Sequence, residues 1–226
     1  MKNINDIFFF VQARMGSTRV PGKMLRPFAG TTLMDIIVEK ILKSKVIPKD
    51  NFYLSVYESE LKEIGKKYGV NVFDRSYKSA YAEGVLTDIY EWHDKVDYKY
   101  AIKINGCSPF LSIETIDRFV KKYVEMDGDG LFGVIKKNNY FWNKNHKLVT
   151  PWPEGYQFMN TKMVEETFEA AHCLYGGRTD IIKDGIWMGD FQKAGSIELF
   201  EMSEEEVLDI DEEWQFKLYE ILYKGI

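Results

Sequence analysis

"IFFFVQARMGSTRVPGKML", residues 7–25, decides how this chain folds. Its first part, Ile7 to Gln12, is a short unbroken apolar run of β-forming residues, the pattern of a central strand buried on both faces. Its second part abandons that pattern and spaces Arg14, Arg19 and Lys23 among Gly16, Ser17, Thr18 and Gly22. Small residues let the backbone approach a ligand, and successive N–H groups can cradle phosphate oxygens. Guanidinium and ammonium groups match phosphate charge. A solvated connection with scattered cations is the blander reading of the same composition.

Outward from this stretch, strand and helix patterns alternate. Residues 32–44 repeat apolar side chains at Leu33, Ile36, Ile37 and Ile41, a helical period. "NFYLSVY" (51–57) reads as a strand, 58–69 as a helix closing on Gly69, and "VNVF" (70–73) as a third strand. A helix over 83–96 and a strand over 99–104 follow, then a helix over 112–126 with Ser112 as N-cap. The alternation predicts an α/β fold with a mostly parallel sheet flanked by helices. Beyond Gly130 the rhythm changes. "LFGVI" (131–135) reads as a strand, 136–160 as β-hairpin and loop material, and 162–174 as a helix. The C-terminal unit, 205–225, reads as a short strand, an acidic turn and an amphipathic helix. With no repeat and no low-complexity linker, a single domain over 1–226 is expected.

Composition narrows the function classes. Hydrophobic residues make up 45% of the 226, enough for a large core. Thirty basic against 35 acidic residues, net −5, argue against a nucleic-acid binder, which needs a concentrated basic surface. Two distant cysteines, Cys107 and Cys173, suit a reducing compartment and offer no zinc spacing. The opening residues are read without a signal peptide, and no run approaches the roughly 18 apolar residues of a membrane span. A cytoplasmic protein without membrane or nucleic-acid partners is expected.

The cationic loop is not a P-loop, because five residues separate Gly16 from Gly22 and Met24, not Ser or Thr, follows Lys23. "GDGLFG" (128–133) has the dinucleotide spacing but follows a helix pattern and precedes a strand, the reverse of the required context. "NGCSP" (105–109) leaves the fourth strand at the sheet edge from which the first loop emerges. "LDIDEE" offers two readings. In a strand, Asp209 and Asp211 share a face and could hold Mg2+ with substrate phosphates; alternatively Asp211 caps the last helix, with Glu212 and Glu213 on its dipole. His93, His146 and His172 lack spaced partners and read as structural or surface residues.

With these loops in view the chain resembles the CMP-sugar synthetases, CTP-dependent cytidylyltransferases that activate 3-deoxy-2-ulosonic acids. It is most similar to the spore-coat polysaccharide branch. "QARMGSTRVPGK" carries the likeness, followed in order by "EGVLTDIYE", "KINGCSPFLSIETIDRFV", "PEGYQFMNTKMVEETFEAA" and "LDIDEEWQFKLYEIL". The resemblance implies a nucleotide-diphospho-sugar transferase fold, a homodimer, and transfer of CMP from CTP to a sugar acid with release of pyrophosphate. It implies that Arg14 and Lys23 are catalytic. Ala13, Gly16, Ser17, Thr18, Arg19, Arg75, Asn105 and Gly106 would bind nucleotide, and Tyr156, Gln157 and Asn160 would line the sugar pocket. Asp209 and Asp211 would bind Mg2+. Two departures stand out: Cys107 replaces a usual aspartate, and Gln157 and Asn160 replace acidic residues. The alternatives are a glycosyltransferase of the same fold, for which "DID" lies unusually close to the C-terminus, and a nucleotide-binding relative without turnover.

Overall fold

The computed structural model describes residues 1–225. The opening strand, β1 (Ile7–Gln12), is buried along its apolar length because both faces are covered. Phe8 and Phe10 point into an aromatic cluster with Tyr90, Trp92 and Trp187, whereas Ile7, Phe9 and Val11 point into the larger core beneath the helices. Helix α1 (Leu33–Leu42) buries its predicted stripe and is capped by Thr32, whose side chain accepts from the Asp35 N–H. β2 (Phe52–Val56) pairs parallel to β1, and α2 (Ser59–Tyr68) ends on Gly69 at φ 60°, the left-handed C-cap expected there. β3 (Asn71–Asp74), α3 (Tyr77–Ala80) and α4 (Leu86–Ile89) lead to β4 (Tyr100–Ile104), which lies parallel to β1 on its other side. Helix α5 (Ile113–Glu125), capped by Ser112, packs Ile116, Phe119, Val120 and Tyr123 into the core.

The second half completes one seven-stranded sheet with β5 (Leu131–Lys137), β6 (Thr167–Arg178) and β7 (Glu198–Met202), in the order β3-β2-β1-β4-β6-β5-β7. Helix α6 (Glu213–Lys224) closes the described chain. Only β6 runs against its neighbours, so the sheet is mostly parallel, as expected.

Three local expectations are corrected. Residues 162–174 do not form a helix; after a 3-10 turn the segment becomes β6, hydrogen-bonded between β4 and β5. Glu165, Glu166, Ala170 and Ala171 favour a helix locally, but the open edges of two strands decide the outcome. The helix expected over 83–96 reduces to α4 and a 3-10 turn over Glu91–Asp94. Tyr90 and Trp92 both enter the aromatic cluster, and an i,i+2 pair cannot share one α-helical face. The short strand expected just before the acidic turn is a 3-10 turn, Glu204–Val207; the strand lies earlier, at β7. Residues 138–166 form a long excursion with a single hairpin bridge, Trp142 to Leu148.

Candidate active site

At β1 and β4 the chain leaves the sheet in opposite directions, and a groove opens at their carboxyl ends, where parallel sheets bind ligands. Gln12, Ala13 and Arg14 form its middle. On one side lies a recess of about 270 Å³ lined by Ser17, Thr18, Arg19, Lys23, Cys107 and Asp211. On the other lies a recess of about 220 Å³ lined by Arg75, Ala80, Ile89 and Lys103. Asp211 continues the first recess into a third, which adds Asp209, His172, Gln215 and Tyr219.

The loop after β1 keeps several donors free. The N–H groups of Gly16, Thr18 and Arg19 find no acceptor among the described residues, the condition for a backbone anion cradle. Glu58 sets the entry to this loop: one carboxylate oxygen accepts from the Met15 N–H at 2.9 Å and from the Tyr81 hydroxyl at 2.8 Å. The Tyr81 ring then lies over Gly16, where a Cβ would come within 2.3 Å of it. The Arg14 guanidinium lies 5.7 Å from the Tyr81 ring and donates to the Ala80 carbonyl at 3.3 Å. Farther along, Arg26 makes a bidentate pair with Glu213 at 2.7 Å and stacks over Phe216, fastening the loop to α6.

Lys23 brings the two ends of the sequence together. Its ammonium donates to the Ile210 carbonyl and lies 3.5 Å from Asp211, whose carboxylate also pairs with Arg19 at 2.8 Å. Burial alone would lower the Lys23 pKa, but Cys107, Asp209 and Asp211 outweigh it and the pKa is raised. Burial pushes the Cys107 thiol up to about 11, against the pull of Lys23, and its soft sulfur is a poor ligand for a hard cation.

The segment carrying Asp209 and Asp211 is not a strand; the two residues flank the buried Ile210 and both line the third recess, and the cap of α6 is Glu212, in a capping box with Gln215. Burial also raises the Asp209 carboxyl pKa, opposed by Lys23. One Asp209 oxygen is buried with no hydrogen-bond partner. A carboxylate oxygen left so calls for a cation or water. Among the described residues no group of three or more acidic, His or Cys side chains gathers as a metal site. Magnesium commonly uses only one or two carboxylates and completes its shell with phosphates, so this pair fits it.

The other expected residues divide. Arg75 is buried and reaches the groove, its guanidinium donating to Ser79 and to the Ile89 carbonyl. Burial, with the Arg14 charge adding, lowers its pKa to about 10. The Asn105 side chain is occupied in holding the His172 carbonyl and the Cys107 N–H. Gly106 faces the core: a Cβ would meet Met24 at 2.8 Å, so its smallness serves packing. Tyr156, Gln157 and Asn160 lie on the excursion, outside the groove lining, with Gln157 exposed.

Three groove residues escape the sequence reading. His172 is a non-glycine at φ 54° in the irregular stretch of β6, facing the Asp209 recess, and its ring meets the Tyr175 hydroxyl at 3.3 Å. Gln12 and Lys103 were visible as polar residues in otherwise apolar strands, the available signal.

The family model for cytidylyltransferases matches residues 8–174. The chain is 31% identical over 128 residues to the spore coat polysaccharide biosynthesis protein SpsF of Bacillus subtilis (strain 168). That alignment spans 56% of this chain and 53%, about half, of the length of that protein. With the pseudaminic acid cytidylyltransferase of Campylobacter jejuni (serotype O:2) identity is 22%, covering 99% of this chain and 97% of the relative. A solved CMP:2-keto-3-deoxy-manno-octonic acid synthetase complexed with CTP shares the fold, with a TM-score of 0.72 at 14% identity over 97% of this chain and 98% of that one.

Proposed function

Because this chain belongs to the cytidylyltransferase family, we propose that it transfers CMP from CTP to a sugar acid of the ulosonic class, releasing pyrophosphate for surface polysaccharide synthesis. The observation that carries the reading is the meeting of Lys23 and Arg19 with Asp211 beside the partly buried Asp209, at the mouth of a loop with unsatisfied N–H groups. The acceptor hydroxyl oxygen bonds to the α-phosphorus, the bond from that phosphorus to the β-bridging oxygen breaks, and the hydroxyl proton is released. Negative charge grows on the phosphoryl oxygens and the leaving pyrophosphate, so catalysis is chiefly positioning and electrostatics. Ser17, Thr18, Arg19 and the loop N–H groups bind the triphosphate, and Arg14 and Lys23 offset the developing charge. Asp209 and Asp211 hold Mg2+, which supplies Lewis-acid stabilisation of phosphoryl charge when bound. Arg75, held at Ser79 and Ile89, stands at the nucleoside end of its recess, and the end nearer Tyr175, where Lys103 lies, is left to the acceptor. The reading includes a homodimer, supported by the exposed Phe141, Trp142, Trp152, Phe158 and Met159 on the excursion.

The test is pyrophosphate release from CTP and Mg2+ with 3-deoxy-manno-octulosonate, pseudaminic acid and related acids. Release that requires both acceptor and Mg2+ is expected, and Lys23→Ala should lower kcat by about 10²–10³. Hydrolysis of a nucleotide sugar instead would favour a glycosyltransferase, and CTP binding without turnover an inactive relative.

A further inference from the structure

Lys103 is a lysine in the middle of the sheet. It lies in β4 between the buried Ile102 and Ile104, and its side chain enters the recess that also holds Arg14 and Arg75. Among the described residues none of these three cations makes an ion pair, and no carboxylate lines the recess. The two arginines spend donors on backbone carbonyls, Arg14 on Ala80 and Arg75 on Ser79 and Ile89. Among the described residues the Lys103 ammonium meets no hydrogen-bond acceptor, and it lies over the face of Tyr175, 4.9 Å from the ring centroid. Beside it the side-chain oxygen of Gln12 is buried and unpartnered. Arg75 is buried while Arg14 and Lys103 keep partial exposure, and unpaired like charges packed together in such a recess carry an electrostatic cost. Such a cluster is stabilised by an anion that arrives from outside.

The position of Lys103 tells which anion. The free N–H groups and Lys23, suited to a triphosphate tail, lie across Gln12 and Arg14 in the other recess. Lys103 instead abuts Tyr175, whose hydroxyl meets His172 on the wall of the Asp209 recess. We infer that Lys103 anchors the carboxylate of the acceptor, making it a specificity-determining residue of the site; this rests on the transferase reading above. Gln12 accepts a hydroxyl of the same substrate.

The experiment compares wild type, Lys103→Met, Lys103→Gln and Lys103→Arg. Pyrophosphate release is measured with the two named acids and their neutral C1 amides, and CTP binding by calorimetry. Lys103→Met and Lys103→Gln should raise the acceptor KM by about 10- to 100-fold, the range for a lost charged hydrogen bond. They should also erase the preference for acid over amide and leave the CTP Kd within about twofold. Lys103→Arg should retain most of the preference. An unchanged acceptor KM and preference in both neutral variants overturns the assignment, as does a tenfold weaker CTP Kd, which would make Lys103 a nucleotide contact. A wild type that binds CTP but uses no acid also overturns it. A wild type that binds no CTP removes the transferase reading itself, a distinct result.

Discussion

Glu58 holds the cationic loop after β1 through one oxygen, which accepts from the Met15 N–H and from the Tyr81 hydroxyl over Gly16, so Glu58→Ala tests whether loop order governs binding. The lost acceptor releases the Met15 N–H and the Tyr81 hydroxyl, now held at 2.9 and 2.8 Å. With Tyr81 free, the ring over Gly16 and the platform facing Arg14 lose their fixed position. A hydrogen bond to a charged acceptor contributes about 1.5–3 kcal/mol, but both donors here are partly exposed and water replaces much of that. A net cost of about 1–2 kcal/mol is expected, borne by the ordered loop. Since 1.4 kcal/mol is a factor of ten, the KM for CTP should rise by about 5- to 30-fold. kcat should change less, because bound triphosphate restores the loop. Glu58→Gln keeps an acceptor oxygen and should stay within about threefold of wild type. The assay is pyrophosphate release against CTP concentration, with a thermal melt to verify folding. A folded Glu58→Ala protein whose KM for CTP stays within twofold of wild type would refute the clamp.

Two stability predictions follow from the packing and the charges. At Gly130 a Cβ would fall 1.5 Å from the Met188 carbonyl oxygen, so Gly130→Ala must displace backbone. Overpacking of that kind costs about 3 kcal/mol, and the melting temperature should fall by about 6–12 °C; an unchanged melt would contradict the packing. Burial works to raise the Glu91 carboxyl pKa, but Lys95 and the Ser76 N–H overcome it and lower it to about 2, against 4.5 for the free group. The folded value lies below the unfolded one, so this stabilisation is present above pH 4.5 and lost as pH falls from 4.5 toward 2. Lys95 is half exposed, so the contribution is on the order of 1 kcal/mol; Glu91→Gln should flatten the acid limb of the stability curve by that amount.

Apart from residues 83–96, the parallel half of the fold was legible because its signals are local. Ile7–Gln12 is apolar throughout, Thr32 and Ser112 cap helices with visible stripes, and Gly69 marks a left-handed end. The antiparallel half was not. β6 carries helix-forming residues and becomes a strand only because β4 and β5 offer it partners on both sides. The cationic loop and the "DID" motif were each visible, yet their meeting depends on residues 187 and 188 positions apart. His172 gave no signal, since its left-handed backbone arises from pairing irregularity between β5 and β6. Lys103 did give one: a lysine in "YAIKI" is out of place in a buried strand, and the reason appears only when Arg14 and Arg75 face the same recess.

The groove's floor and its loop are held by different kinds of bond, and this separates what substitutions there should do. Backbone hydrogen bonds knit the floor: Ile210 N–H to the Cys107 carbonyl, Asn105 N–H to the Cys173 carbonyl, and Ala13 N–H to the Ser55 carbonyl. These bonds are made by the backbone alone and need no ligand charge to form. The loop is tethered by carboxylates, Glu58 at its start, Asp211 at Arg19 and Lys23, and Glu213 at Arg26. Each tether is partly exposed and so contributes modestly, and a polyanion can compete for the same cations. A triphosphate carries more negative charge than Asp211 and can take its place at Arg19 and Lys23, which leaves the Asp211 carboxylate available beside Asp209. Changes to the floor should therefore appear in stability, and changes to the carboxylate tethers in the KM for nucleotide.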